Sequence, residues 1–540
     1  MSSLSNPNSL PADAGFSGWI RDALNSQAWA ASLGGGALAA LGLAPLFAWP
    51  LTALGFMGLI LLLDGAHARP RPMRAAFARG FGFGLGWFGL GMYWIGAPFL
   101  QVDGAAVLAP LGIGLPVLLA AFWGAACALA IRAWKRDWRR IFLFAGVFTL
   151  CEWLRGHAFG GLPWNLPGYV WEAGGAISQI ASILGIYGLT GLTLLAFCMP
   201  ATLLDGKGPM EKRVVPTLAM ALALGLAWGA GAQRLARTQN GPGEFVVRVV
   251  DSGLTQAEIW APGRAIDVAR RYLELTGDAA ESRADVVIWP EGAMPFLLLD
   301  QPEVLDAIGQ RLANRVLITG VTRLEQNAAG KAYYNSAAVL DGVNGTLRLG
   351  QIYDKTRLVP FGEFIPFYPL IQRLGLPIKA VQEIGNGFEP GLGPRRLIVP
   401  GAPPAAPLIC FEAIFPGYLP PADQRPEWLV NVTNDAWFSY GKGWPPFGPY
   451  QHYNQARYRA IESGLPMARA ASGGISAVID GLGRELAATT LGGGTVEATI
   501  PKGSKQTTFT KLGFVLNSIL VFVFLLLGFA PGATKPGPKE

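Results

Sequence analysis

The chain reads as an α-helical membrane bundle of about eight spans that carries one α/β domain outside the cytoplasm. Three observations predict this. First, 51% of the 540 residues are hydrophobic and only 15% are charged, against about 25% charged in an average soluble domain. Second, long apolar runs, each near the ~20 residues a bilayer needs, cluster at the two ends of the chain. Third, charge is partitioned. Residues 233–510 hold 26 Lys/Arg and 26 Asp/Glu, so the whole net charge of +7 lies outside that stretch. This apolar content excludes a disordered chain.

The apolar runs fall at 28–44, 46–63, 80–100, 105–131, 141–155, 176–204, 214–232 and 512–530. Basic residues concentrate in alternate loops: Arg69, Arg71, Arg74 and Arg79; then Arg132, Lys135, Arg136, Arg139 and Arg140; then Lys207, Lys212 and Arg213. Basic loops stay in the cytoplasm, so the alternation places the N-terminus inside and residues 233–510 outside. The final span returns a tail with Lys535 and Lys539 to the cytoplasm. The expected organisation is therefore a tail at 1–27, seven spans over 28–232, an extracytoplasmic domain at 233–510, an eighth span at 511–530 and a tail at 531–540. The basic residues are a topology signal and do not indicate nucleic-acid binding. The N-terminus lacks the pattern of a cleaved signal peptide.

Within the domain, short runs rich in β-branched residues predict strands at Phe245–Val250, Val286–Trp289, Val316–Val321, Ala337–Leu340, Pro407–Cys410, Leu429–Val432 and Ala477–Ile479. Helical spacing appears at 263–282 and 302–314. Strand and helix in alternation argue for helices covering a sheet. Residues 233–510 contain no repeat, Walker A loop or GxGxxG pattern.

Three segments carry chemistry. Val286–Trp289 runs through Pro290 into Glu291, which places a carboxylate at a strand's mouth, where α/β sites form. Tyr353–Glu363 (YDKTRLVPFGE) carries Lys355 and Glu363. Pro407–Glu412 (PLICFE) ends a buried strand at Cys410. Cys410 is the domain's one cysteine; Cys127, Cys151 and Cys198 lie in apolar runs. A thiol needs a base to become a thiolate nucleophile. A carboxylate in an apolar site can be that base, and an ammonium can steady the oxyanion of an acyl-transfer intermediate. His67, His157 and His452 are scattered, without zinc-ligand spacing.

The ordered Glu, Lys and Cys segments resemble the nitrilase superfamily, whose domain is an α-β-β-α sandwich. With the spans around it, the chain resembles that superfamily's membrane-embedded branch, the apolipoprotein N-acyltransferase family. The matching motifs are WPE at Trp289–Glu291, the segment Tyr353–Pro366, ICFE at Ile409–Glu412, NDAWF at Asn434–Phe438, and Gln451-His452 followed by Arg457, Arg459 and Glu462. The resemblance implies Glu291 as general base, Lys355 as oxyanion support and Cys410 as nucleophile. Glu363, Glu412, Trp260, Phe411 and Asn434 are implied supporting or substrate residues. It implies transfer of a fatty acyl chain from a phospholipid, through a Cys410 thioester, to the α-amino group of a diacylglyceryl-cysteine apolipoprotein in the bacterial inner membrane. It implies no metal and no organic cofactor, and a monomer is expected. The sequence departs from the family at Phe411, where some relatives have Tyr, at Val250–Gly253, and at Ser472.

Both implied substrates carry acyl chains, so two segments are expected to touch lipid. One is the apolar stretch Phe364–Val381, with Leu370 and Leu374; the other is Trp437–Tyr450, with Trp444. Three rival readings stand beside this one. A tethered amidase would resolve the acyl-enzyme with water. A cysteine enzyme could use His452 as base. A transporter would use charges within spans, of which Glu152 is the clearest.

Overall fold

The structure, a computed structural model, describes residues 16–101, 109–205, 209–238, 245–278, 280–327, 330–366, 387–438 and 445–530, with positions 241, 243, 368 and 373 beside them. Leu370, Leu374 and Trp444, and most of the stretch 364–381, lie outside the described residues, as do Lys207, Lys535 and Lys539.

Each of the eight apolar runs contains helix among its described residues. After α1 (Phe16–Ser26) come α2 (Ala28–Ala40), α3 (Trp49–His67), α4 (Pro72–Gly91), α5 (Ala97–Gln101), α6 (Ala109–Ala130), α7 (Arg139–Arg155), α8 (Ala181–Cys198) and α9 (Met210–Arg237). Among the described residues, four stretches are long and apolar enough to cross a membrane: Trp49–His67, Gly114–Ala133, Ile177–Leu204 and Met210–Arg237. The rest fall short for local reasons. Helix α2 has only 13 residues, α4 is diluted by glycine, and α7 carries Arg139, Arg140, Glu152 and Arg155. The glycines serve close packing: a Cβ at Gly36 would overlap the Phe83 carbonyl, and one at Gly86 the Leu33 carbonyl.

The basic residues that mark the loops are not all solvated. Arg140 is fully buried. It meets Asp205 at 2.8 Å and Asp64 at 3.1 Å, and Arg21 reaches the same two carboxylates at 3.1 Å. Two cations and two anions thus close one end of the bundle, each charge compensated.

The α/β domain has two sheets. One runs β11-β1-β2-β3-β4-β5 and the other β10-β9-β8-β7-β6. The strands are β1 (Phe245–Asp251), β2 (Val286–Trp289), β3 (Val316–Asn327), β4 (Gly330–Val343), β5 (Thr346–Asp354), β6 (Ala405–Ile409), β7 (Trp428–Asn434), β8 (Met467–Ser472), β9 (Ala477–Ile479), β10 (Glu485–Ala488) and β11 (Gly494–Ile500). Their centres, β1-β2-β3 and β6-β7-β8, are parallel.

The inner faces of the two sheets share one core, in which Val247, Ile288 and Val339 pack with Ile409, Val430 and Ala470. The outer face of the first sheet is covered by α11 (Ala265–Thr276) and α12 (Pro302–Leu312) through Val268, Tyr272, Ile308 and Leu312. The outer face of the second is covered by α13 (Phe447–Ser463) through Tyr453, Ala456 and Ala460. This is a four-layer α-β-β-α sandwich. The short α10 (Gln256–Ile259) follows β1. The chain leaves through α14 (Thr508–Leu512) into α15 (Val515–Phe529).

Three sequence expectations need correction. Strands β3 and β4 form a hairpin well beyond the apolar runs, because Arg323–Asn327 and Gly330–Tyr334 pair through backbone regardless of polarity. β5, β8, β10 and β11 were not expected; β5 is largely exposed and β8 reads as small residues. Cys410 does not end a strand but begins the 3₁₀ turn Cys410–Ile414.

Helix α13 is buried on both sides, so the sandwich and the bundle form one packed body. Tyr458 and Ile461 join Phe411, Ile414 and Phe415 in the bundle's core. Gln451 Oε1 accepts from Trp94 Nε1 at 3.3 Å and Trp164 Nε1 at 2.9 Å, and its Nε2 donates to the Gly91 carbonyl at 2.9 Å. Asn454 accepts from the Ala173 amide at 3.0 Å, and Glu462 from the Ile186 amide at 2.9 Å.

Candidate active site

The turn after β6 is the centre of the site. Its first residue, Cys410, has φ +46°, a left-handed conformation that costs a non-glycine residue about 1–2 kcal/mol and that functional sites often retain. Two clamps hold the turn. Glu412 reaches back so that its Oε2 accepts from the Ile409 amide at 2.8 Å. Its Oε1 accepts from the Tyr353 hydroxyl and the Thr356 amide, both at 2.8 Å, and from the Tyr418 hydroxyl at 3.1 Å. Glu412 therefore ties the Cys410 turn to the segment that carries Lys355. Burial pushes its carboxyl above the usual range, against those donors. The second clamp is His452, whose Nε2 lies 3.2 Å from the Cys410 carbonyl and whose Nδ1 lies 2.8 Å from Asp435 Oδ1.

Glu291, Lys355 and Glu363 meet in a buried cluster. Lys355 Nζ stands 3.1 Å from Glu291 Oε1 and 2.9 Å from Glu363 Oε1. Burial opposes the Lys355 charge, but Glu291 and then Glu363 outweigh it and hold the ammonium well above its ordinary range. Glu291 Oε2 accepts from the Asn434 amide at 3.0 Å, and Glu363 Oε2 from the Val359 amide at 2.8 Å. Burial, and next Glu291, push the Cys410 thiol far up; Lys355 pulls it down. The thiol is thus protonated at neutral pH, with an acceptor carboxylate and an ammonium acting on it. Such a set suits a reaction in which proton removal accompanies attack.

The sequence-predicted residues divide. Glu291, Lys355, Glu363 and Asn434 come together, and Glu412 and Phe411 belong to the Cys410 turn. Phe411 packs at right angles against Phe415, 5.1 Å away, in the bundle's core. Trp260 is 54% exposed at the end of α10, and no described contact joins it to the carboxylates. Its helix reaches the site through Gln256 Oε1, which accepts from Asn434 Nδ2 at 2.8 Å. The reading of His452 as base is not supported: both ring nitrogens are engaged, one by the Cys410 backbone and one by Asp435. Glu152, the within-span charge of the transporter reading, has structural partners. It is fully buried against Arg155 at 2.6 Å and accepts from Trp123 Nε1 at 2.8 Å. The segment Trp437–Tyr450 is anchored at both ends: Phe438 packs on Trp94 and Trp164, and Phe447 opens α13 against Tyr93.

Sequence reasoning missed Asn335. It projects from β4, and its Nδ2 donates to Glu291 Oε1 and Glu363 Oε1, each at 2.6 Å. A lone Asn inside a strand gives no sequence signal. Asp435, within the NDAWF motif, is fully buried between His452 and Arg469. Among the described residues no group of His, Cys, Asp and Glu is placed to hold a metal ion.

The four-layer sandwich that carries Glu291, Lys355 and Cys410 lies within residues 253–508, which match the Carbon-nitrogen hydrolase domain family. Residues 35–199 match the Apolipoprotein N-acyltransferase N-terminal domain. An apolipoprotein N-acyltransferase from Rhodopseudomonas palustris is 38% identical over 508 residues, covering 91% of this chain and 93% of the relative. Those from Caulobacter vibrioides and Bradyrhizobium diazoefficiens are 40% and 39% identical, covering 87% and 93% of this chain and 88% and 95% of theirs. The chain belongs to the apolipoprotein N-acyltransferase family.

Proposed function

We propose that this protein moves a fatty acyl chain from a membrane phospholipid to the free α-amino group of a diacylglyceryl-cysteine apolipoprotein, with Cys410 as nucleophile. The observation that carries this reading is the junction of a buried Glu–Lys–Cys arrangement with a bundle that shares its hydrophobic core. Both substrates bear acyl chains, and a site fused to lipid-facing helices suits them.

In the first step Glu291 takes the thiol proton as Cys410 Sγ attacks the phospholipid ester carbonyl. Lys355 faces the charge that develops on the carbonyl oxygen. The intermediate collapses, the C–O bond breaks, and Glu291 returns the proton to the departing lysophospholipid alkoxide, leaving a Cys410 thioester. In the second step the amine attacks the thioester, Glu291 takes a proton from its nitrogen, and the C–S bond breaks. The proton passes to the sulfur as the amide forms. Glu363 and Asn335 hold Lys355 and Glu291 in register, and Glu412 holds the turn. The exposed ring of Trp260 suits contact with an acyl chain.

The full reading has eight crossings, with both termini in the cytoplasm and the sandwich on the periplasmic side of the inner membrane. The charge partition supports it, as does α9, whose long apolar stretch is almost nowhere buried against the rest of the protein.

The test uses detergent-purified full-length protein and a phospholipid with a labelled acyl chain, quenched in acid. Wild type should retain a hydroxylamine-sensitive label that Cys410→Ala lacks, and a diacylated lipopeptide should discharge it onto its amine. A wild type that never labels overturns the reading, and discharge into water alone favours the amidase.

A further inference from the structure

We propose that the cavity at the foot of the sandwich, beside the entry to α15, is a headgroup site for an anionic phospholipid, separate from the acyl-donor site at Cys410. The proposal rests on the proposed topology only for the leaflet that supplies the lipid, and it needs no chemistry at Cys410.

The cavity encloses about 210 Å³ between the chain that follows the Cys410–Ile414 turn, the C-terminal part of α13, and α14. Leu419, Pro420, Leu465 and Phe509 make its walls largely apolar. Arg459 breaks that pattern: it lines the cavity and is only 4% exposed. Its terminal nitrogens are spent elsewhere. Nη1 donates to the Ile414 carbonyl at 3.4 Å; Nη2 donates to the Tyr169 hydroxyl at 3.2 Å and meets Glu462 Oε2 at 3.2 Å. Its Nε–H has no acceptor among the described residues. A buried donor left without a partner is costly, so a ligand that brings an acceptor oxygen is favoured there. A guanidinium suits phosphate above other acceptors, because its planar donors match phosphate oxygens.

The surrounding charge selects an anionic headgroup. Glu462 also lines the cavity, but its oxygens are engaged, Oε1 by the Ile186 amide at 2.9 Å and Oε2 by Arg459. It is turned to the bundle and to Arg459. Arg425, exposed at the rim, adds a second cation; Asp423 and Glu427 flank it in sequence without lining the cavity. Residues 501–514, which join β11 to α15, hold Lys502, Lys505 and Lys511 and no acidic residue. Lys505 and Lys511 are exposed and bracket the lining residues Gln506, Phe509 and Thr510. Basic residues at a span's end ordinarily mark the cytoplasmic side, yet this end of α15 is extracytoplasmic in the proposed topology. Clustered beside the bilayer, they attract anionic lipid. Helix α15 begins just beyond, at Val515, and exposes Val515, Ile519 and Phe522, along which acyl chains can lie.

Photolabelling of full-length, detergent-purified protein tests the site. The probe is a phosphatidylglycerol with a diazirine on its headgroup, and the adducts are mapped by peptide mass spectrometry. Adducts are expected within 417–426 or 506–511. Arg425→Gln/Lys511→Gln removes two rim charges and should weaken this labelling about 30-fold. Ala422 is exposed and lines the cavity, so Ala422→Trp should fill it without disturbing the core. That variant should lose the adducts and still form the hydroxylamine-sensitive label at Cys410. No adduct on either peptide in wild type, or undiminished adducts in Ala422→Trp, overturns the proposal. Equal labelling by a phosphatidylcholine with the same diazirine overturns the anionic preference. Competition by inorganic phosphate as effective as that by unlabelled phosphatidylglycerol would make this a free-anion site and overturn the lipid assignment. Adducts at the cavity without any acyl label at Cys410 would instead sink the acyl-transfer reading and leave this site standing.

Discussion

Asn335 donates to Glu291 Oε1 from 2.6 Å, onto the same oxygen that Lys355 approaches at 3.1 Å. A side chain from mid-strand thus shares in fixing the carboxylate proposed to move the proton.

Removing that donor should release Glu291 without unfolding the sandwich. Asn335→Ala is expected to slow acyl-enzyme formation on the order of 10²-fold, as small misplacements of reacting groups do, with the melting temperature nearly unchanged. Asn335→Asp should be slower still, since a third carboxylate would repel Glu291 and Glu363. Single-turnover labelling with a phospholipid measures both, and an Asn335→Ala rate equal to wild type contradicts the assignment.

Gly320 sets the same carboxylate from behind. A Cβ there would meet the Pro290 carbonyl at 2.8 Å and press closer still on the Glu291 Cα. Gly320→Ala should displace Glu291 and cost roughly 10–10²-fold in rate. Gly350, on β5, has no contact closer than the Val339 carbonyl at 3.2 Å. Gly350→Ala should therefore stay within about twofold of wild type. Equal effects at the two positions would refute the close-approach argument.

The buried pair Glu152–Arg155 braces the wall on which His452 rests. Arg155 donates from Nη2 to the Trp164 carbonyl at 3.0 Å while bonded to Glu152. Glu152→Ala strands a buried cation and should destabilise the protein by about 3–5 kcal/mol. Replacing both residues with Leu and Met should recover part of that loss. Thermal unfolding in detergent distinguishes the cases, and a single variant as stable as wild type would show the pair to be dispensable.

Asp251 gives the stability a pH dependence. Burial, its largest influence, pushes the carboxyl up to about 7, against the amides of Gly253 and Gly473, whereas an unfolded Asp titrates near ~3.9. The folded chain therefore keeps a proton that the unfolded chain releases. Stability from this group is complete below ~4 and is lost as pH rises through about 7. Asp251→Asn removes that loss. It should melt above wild type at pH 8, by an equivalent of up to roughly 4 kcal/mol, and converge with it near pH 4. A difference independent of pH would rule the mechanism out.

Periodicity exposed what it physically can. Buried parallel strands such as Val286–Trp289, apolar throughout, and Leu429–Val432, apolar but for Asn431, stand out in sequence. Helices α11 and α12 show one apolar face because they cover a sheet. β5 and β11 were invisible, since edge strands half exposed to water need no apolar alternation. Arg140 reads as a loop charge because sequence cannot show that Asp64 and Asp205, 76 and 65 positions away, fold onto it.

The sequence by itself determined the division into apolar ends and a neutral middle, the α/β class of that middle, and the residues Glu291, Lys355, Glu363, Cys410 and Glu412. Chemistry of that kind is written in residue type and local context. Only the tertiary structure decided how they are held. Asn335 across the cluster, Asp435 and Arg469 beneath His452, and Trp164 reaching in from the bundle come from segments far apart in the chain. Their roles exist only as distances, and distances between remote segments are set by packing two sheets and a bundle around shared cores.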